Sequence, residues 1–184
     1  MFRLNAQQLR TQEPSSEEIK KIKRNPIYII LDNVLDTYNV GSIFRLADAV
    51  AAKKVFLCGE TLTPPNPRIK KASINTWRWV EWQYASTAVE AIAKLKAPFE
   101  EAQGRQSSKL KIIAIEQHTK SIPLAKFKPE FPLAIVVGNE TYGVSPEVLK
   151  MADQIVELPM FGINKSLNVM VTCGIVLYRI VEFL

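Results

Sequence analysis

Three short stretches combine glycines with amide, hydroxyl, carboxylate and guanidinium side chains. Asn39-Val-Gly41-Ser-Ile-Phe-Arg45 places an amide, a glycine and a guanidinium within two turns, and in a helix Gly41 and Arg45 would share a face. Arginine offers a rigid fork of donors suited to phosphate, the ordinary alternative being a surface ion pair. Gly138-Asn-Glu140-Thr-Tyr-Gly143 follows an apolar run. Its glycines permit unusual backbone angles and let a ligand approach the main chain, while Glu140 adds an acceptor; the plain alternative is a connecting turn with a solvated carboxylate. Leu158-Pro-Met160-Phe-Gly162-Ile-Asn-Lys-Ser166-Leu167-Asn168 combines a strand end, a turn at Gly162 and Ser166 as a helix cap. Asn168 then falls in the first helical turn, where its amide faces solvent or does something specific.

These stretches need elements to hold them. Ile27-Tyr-Ile-Ile-Leu31 reads as a strand buried on both faces. A helix over about 40–51 follows, with Asn39 as its cap. Further strands are read at 54–58, 80–84, 111–116, 133–137 and 155–158, with a helix at 87–96. Another helix opens at Ser145-Pro146-Glu147, with a capping serine, proline at the first position and an acid in the first turn. The apolar stretch 166–184 is interrupted by Asn168, Thr172, Arg179 and Glu182, and reads as a buried terminal helix rather than a membrane span. This alternation predicts an α/β fold, a mostly parallel sheet covered on both faces, with ligands at the carboxyl ends of its strands. An arginine, a glutamate and a Ser/Asn pair on three strand-end loops could then converge on one cleft.

The 184 residues, 47% hydrophobic, suit one domain over 27–184, preceded by a basic arm over 1–26 that is partly helical from Ser15. Pro64, Pro65 and Pro67 mark a rigid loop before Arg68, Lys70 and Lys71, and the segment 99–108 is the loosest. With 24 Lys+Arg against 18 Asp+Glu, the net charge of +6 favours a polyanionic partner. Cys58 and Cys173 form neither a CxxC motif nor a disulfide framework, which fits a cytoplasmic compartment. A single histidine, His118, excludes a histidine-built metal site, and no metal is expected. The N-terminus lacks the order of a signal peptide. Neither GxGxxG after the first strand nor GxxxxGK[ST] is present, so Rossmann and P-loop nucleotide sites lack their phosphate turns.

Taken together, Asn39-Val-Gly-Ser-Ile-Phe-Arg45, Val137-Gly-Asn-Glu140-Thr-Tyr-Gly143 and Leu158-Pro-Met-Phe-Gly162 through Ser166-Leu-Asn168 resemble the three motifs of the SpoU (TrmH-like) RNA 2′-O-ribose methyltransferases of the SPOUT class. The likeness spans roughly Pro26 to the C-terminus. It implies a C-terminal trefoil knot, an exception to the rule against knots, and S-adenosyl-L-methionine (SAM) bound in that knot. It assigns catalytic positions to Asn39, Arg45, Glu140, Ser166 and Asn168, and cofactor contacts to Gly138, Leu158 and Leu167, with Met160 and Glu116 as weaker candidates. It implies a homodimer through the terminal helix and RNA, tRNA or rRNA with a slight preference for tRNA, as partner. Met170, Thr172, Cys173 and Gly174 depart from the serine and alanine usual there, which implies changed packing. RNA docking is assigned to the arm, with Arg24, and to Arg68, Lys70, Lys71 and Arg78; Trp77, Trp79 and Trp82 are expected in the core. Guanidinium is practically always protonated, so Arg45 is read as clamp, the base staying open. The alternative function is a catalytically silent RNA-binding protein of the same fold.

Overall fold

The computed structural model describes residues 7–101 and 109–184. Its single sheet comprises β1 (Asn25–Asp32), β2 (Ala52–Cys58), β3 (Trp82–Ala85), β4 (Lys111–Ile115), β5 (Ile122–Pro123), β6 (Leu133–Val137) and β7 (Gln154–Glu157). The order is β3-β2-β1-β6-β4-β7-β5, and every ladder is parallel. The helices are α1 (Gln8–Thr11), α2 (Ser16–Lys20), α3 (Thr37–Ala49), α4 (Pro67–Ser73), α5 (Ala88–Glu101), α6 (Pro146–Met151) and α7 (Val169–Val181).

Both faces of the sheet are covered, and β1 shows why its sequence is continuously apolar. Ile27, Ile29 and Leu31 join a core with Val40, Ile43 and Phe44 of α3 and Cys173, Val176, Leu177 and Ile180 of α7. Tyr28 and Ile30 point the other way, into a core with Ala91 and Ile92 of α5 and Val148 of α6. The period of two along a strand thus serves two separate layers.

Several boundaries differ from the sequence reading, each for a local reason. The cap of α3 is Asp36, whose side chain accepts from Tyr38 N (2.8 Å), so Asn39 lies inside the helix. The cap of α7 is Asn168 and not Ser166: Asn168 Oδ1 accepts from the backbone N–H groups of Met170 (2.9 Å) and Val171 (3.3 Å). Ser166 is held outside the helix, because Asn164 Oδ1 accepts from both its N–H and its hydroxyl. Ser145 occupies the cap position of α6 without a side-chain bond, its N–H being drawn to Asp32 Oδ2 (2.9 Å). β3 starts at Trp82 because a 3₁₀ turn over Thr76–Arg78 takes up the preceding residues. Ser15 caps α2 in a reciprocal capping box with Glu18.

The segment 99–108 divides between the end of α5 and residues 102–108, which lie outside the described residues, as do residues 1–6 of the arm. Trp79 is buried and donates from Nε1 to Asp48 Oδ1 (2.7 Å), while Trp77 and Trp82 pack against the first core. His118 sits in the loop after β4, its Nδ1 accepting from Lys120 N (3.1 Å). Cys58 and Cys173 are free and buried, and burial pushes both thiols up to about 12. None of the helices is long and apolar enough to cross a membrane, among the described residues.

Candidate active site

β1, β6, β4 and β7 are consecutive neighbours in a parallel sheet, so their carboxyl ends open on one edge. The loops leaving β6 and β7 are two of the three stretches singled out from the sequence, Glu116 follows β4, and the loop after β1 leads into α3, which carries the first stretch. The β6 and β7 loops, with Glu116 and Gln117 after β4, line a cavity of about 360 Å³, within the size range of small-molecule sites, and no residue of 39–45 is part of its wall. Its wall includes Gly138 and Glu140 from the β6 loop and Leu158, Met160, Ser166, Leu167 and Asn168 from the β7 loop, with Glu116 beside them.

One hydrogen-bonded relay joins the three stretches. Glu140 Oε2 accepts from Leu35 N (3.0 Å), and Oε1 accepts from Asp36 N (3.0 Å) and from Asn39 Nδ2 (3.0 Å). Asn39 Oδ1 in turn accepts from Asn168 Nδ2 (3.0 Å), whose own Oδ1 caps α7. Each amide has one orientation consistent with both its partners, so the donors and acceptors run in one direction from α7 to Glu140. Burial raises the carboxyl pKa of Glu140, but the Asn39 amide and the backbone N–H groups of Leu35, Asp36 and Glu140 itself outweigh it, and the group sits below the usual carboxylate range. Glu140 is therefore a charged anchor with both oxygens occupied.

The β6 loop has a shape only its glycines allow. A Cβ on Gly138 would lie 2.1 Å from the Gly143 carbonyl carbon and 2.2 Å from Val144 N, both backbone. Gly143 takes φ +71°, and a Cβ there would lie 2.1 Å from Glu116 Oε2. Backbone bonds between Asn139 and Gly143 (3.0 and 2.9 Å) close the loop on itself, and Glu116 Oε2 accepts from Val144 N (2.8 Å). The cavity wall at this point is main chain.

Arg45 is not brought into the cavity. It is exposed on α3 and takes part in no ion pair among the described residues. Gly41 is buried instead: a Cβ there would lie 2.6 Å from Ala72 Cβ and 2.7 Å from Ile69 O, so this glycine lets α4 lie against α3. α4 carries Arg68, Lys70 and Lys71, all exposed and equally without ion pairs among the described residues. Arg24 differs from them. It is partly buried and donates from Nη2 to Trp79 O (2.9 Å), and burial lowers its pKa against the pull of Asp48 and Glu81. Arg78 pairs with Glu13 and lies over the Trp77 ring.

Residues not anticipated from the sequence hold the loops in register. Asp32, 2% exposed at the end of β1, accepts from Ser145 N (2.9 Å) and from Asn33 Nδ2 (2.9 Å). Asn139 donates from Nδ2 to Asn33 O (2.9 Å) and accepts from Thr141 N and Tyr142 N. A carboxylate closing a buried strand was a visible signal for Asp32; bonds between positions more than a hundred residues apart leave none for Asn33 and Asn139. No group of three or more His, Cys, Asp or Glu that could hold a metal occurs among the described residues.

Comparison with known proteins matches residues 26–178 to the model of the SpoU rRNA Methylase family. The chain is 29% identical over 168 residues to a tRNA (guanosine(18)-2′-O)-methyltransferase of Aquifex aeolicus, covering 88% of this chain and 72% of that protein. It is 26% identical over 167 residues to the 23S rRNA (guanosine-2′-O-)-methyltransferase RlmB of Acinetobacter baylyi, covering 91% of this chain and 64% of that protein. Among solved structures, the A. aeolicus TrmH/SpoU tRNA modifying enzyme superposes with TM-score 0.74 at 25% identity, over 97% of this chain and 81% of that one. The SpoU methyltransferase AviRb from Streptomyces viridochromogenes, in complex with AdoMet, gives TM-score 0.77 at 21% identity, over 91% and 64%. The chain thus spans under two thirds of the Acinetobacter and Streptomyces proteins.

Proposed function

The chain belongs to the SpoU rRNA methylase family, and from that premise we propose that it is a SAM-dependent methyltransferase acting on the ribose 2′-hydroxyl of a nucleotide in structured RNA, tRNA or rRNA, with tRNA the first to test. The observation that carries this reading is the relay from Glu140 through Asn39 to Asn168, which ties the first motif, on α3, to the two motif loops that line the cavity at the carboxyl edge of the sheet.

The residues present fit SAM. Gly138 lets the β6 loop fold against its own Gly143–Val144 backbone beside the cavity, and Leu158, Met160 and Leu167 give apolar surface for a flat ring. SAM when bound supplies a methyl group on a positively charged sulfur. The chain's own residues have to orient the attacking hydroxyl and keep the loops from relaxing, since alignment can supply several kcal/mol, up to ~7–11 in well-oriented systems. Asn39 and Asn168 hold the loops, with Ser166 at the cavity wall as a hydroxyl beside the reacting ribose. Arg45, outside the cavity and without an ion pair among the described residues, acts as a clamp on an RNA phosphate. Glu140 is assigned a positioning role and not that of base, because its lone pairs already receive three N–H donors.

Four further features belong to the same reading. RNA docks on the exposed cations Arg68, Lys70 and Lys71 of α4. The exposed side of α7, with Val171, Ile175 and Tyr178 at helical spacing, packs against a second copy in a homodimer. The loop between β7 and α7 takes part in a trefoil knot, and the protein works in the cytoplasm. Incubation with labelled SAM and total RNA fractionated by size tests the function. Label in a tRNA or rRNA band supports it, and SAM binding without transfer to any RNA refutes it.

A further inference from the structure

Two aromatic rings stand almost wholly in solvent beside the cavity. Tyr142 is 87% exposed and Phe161 95% exposed. Their backbone neighbours are part of the wall: Thr141 and Gly143 flank Tyr142, and Met160 precedes Phe161. Neither position is held outward by chance of a loose chain. Asn139 Oδ1 accepts from Tyr142 N (3.0 Å), and the loop containing Phe161 is tied down where Gln117 Nε2 donates to Lys165 O. Lys165 itself lines the cavity, is exposed and forms no ion pair among the described residues.

Solvated loops are ordinarily polar, and large rings presented this fully at the lip of a site mark a surface that something covers. The candidate occupants differ in what they need. A base needs a flat apolar face with a cation near for its phosphate, and aromatic side chains bordered by positive charge supply both. Tyr142, Phe161 and Lys165 have that composition, and the chain carries +6 overall.

We propose that Tyr142 and Phe161 are stacking surfaces for RNA bases next to the target ribose, with Lys165 contacting phosphate, and that the protein therefore takes its target from an unpaired stretch of RNA. The inference rests on the cavity being the ribose site. Bases inside a duplex are already stacked on both faces, so only an unpaired nucleotide can use these rings.

Binding of a short oligoadenylate, single-stranded or annealed to oligouridylate, by the full chain tests this. Tyr142→Ala and Phe161→Ala should each weaken single-strand binding roughly fivefold to a hundredfold. Tyr142→Trp and Phe161→Tyr should restore it, duplex binding should change little, and SAM binding should be unaffected. Single-strand affinity unchanged in the alanine variants, as when a second protein copy covers the rings, overturns the proposal; so does equal loss on single strand and duplex, or loss that aromatic replacements fail to rescue. Failure of the wild-type chain to methylate any RNA would count against the methyltransferase reading instead, and the binding comparison is independent of that outcome.

Discussion

Replacing Glu140 with glutamine changes one oxygen to an amide nitrogen and removes the charge, and the consequence can be worked from the bonds present. The carboxylate receives three N–H donors, from Leu35, Asp36 and Asn39, each at 3.0 Å. In its best orientation the glutamine oxygen keeps Asp36 and Asn39, and its NH₂ then faces the Leu35 N–H, donor against donor. A bond to a charged acceptor contributes about 1.5–3 kcal/mol against about 1 for a neutral one, so one lost bond and two weakened ones would sum to several kcal/mol in a dry site. Glu140 is exposed on one side and water can replace part of what is lost, which brings the expected destabilisation down to about 2 kcal/mol. If turnover requires the assembled relay, the same ~2 kcal/mol lowers kcat/KM about thirtyfold.

The pH dependence has a definite sign. Glu140 is held below the usual carboxylate range, so its stabilisation is complete above the unfolded value of about 4.3 and is lost as pH falls through the lower folded value. Urea unfolding of wild type and Glu140→Gln should differ by about 2 kcal/mol at neutral pH, and the difference should shrink in acid as the wild type alone loses the increment. A variant within about 0.5 kcal/mol of wild type and with normal turnover would refute the relay, as would a gap that acid leaves unchanged.

Other perturbations separate the roles of neighbouring residues. Gly138→Ala forces a Cβ to within 2.2 Å of backbone at Gly143 and Val144, so it should cost about 3 kcal/mol or more and abolish the thermal shift produced by SAM, with both read in one melting series. Asn168→Ala should destabilise by about 1 kcal/mol through loss of the α7 cap, whereas Asn168→Asp keeps the cap but sets oxygen against Asn39 Oδ1, so its stability should hold better than its turnover. Arg45→Lys touches no ion pair among the described residues and should leave stability within about 0.5 kcal/mol while reducing methylation heavily, because the bidentate fork is lost; near-normal turnover would sink the clamp. Joint replacement of Arg68, Lys70 and Lys71 by alanine should flatten the fall of RNA affinity with salt, the slope dropping by about 0.7–0.9 for each phosphate no longer neutralised; an unchanged slope would place RNA elsewhere.

What could be read from the chain alone follows the range of the interactions involved. β6 was legible to the residue because Leu133–Val137 is continuously apolar and bounded by polar turns, and the parallel sheet followed from the alternation of such runs with helices. β5, two residues long, has too little pattern to be seen. The caps were misplaced where two polar candidates compete within a few residues: Asp36 against Asn39, and Asn168 against Ser166. In both cases the losing residue is bonded elsewhere, Asn39 to Glu140 and Ser166 to Asn164, and long-range or loop partners are invisible to a local rule. Gly41 shows the same limit, since its role is close packing with α4 and its spacing from Arg45 suggested a shared ligand face. The meeting of the β6 and β7 loops at one cavity was foreseeable from the rule that strand ends collect ligands, but Arg45, expected in the same cleft, lies outside it, and the direction of the relay required the side-chain geometry.

The chemistry of the product distinguishes methylation of the ribose from methylation of a base. Cleavage of RNA by alkali needs a free 2′-hydroxyl, so a methyl group there leaves an alkali-resistant linkage. Purified protein, labelled SAM and RNA should yield label in dinucleotides that survive alkaline digestion and that release a 2′-O-methyl nucleoside. Label released entirely as mononucleotides carrying a methylated base would contradict the assignment of ribose chemistry to this site.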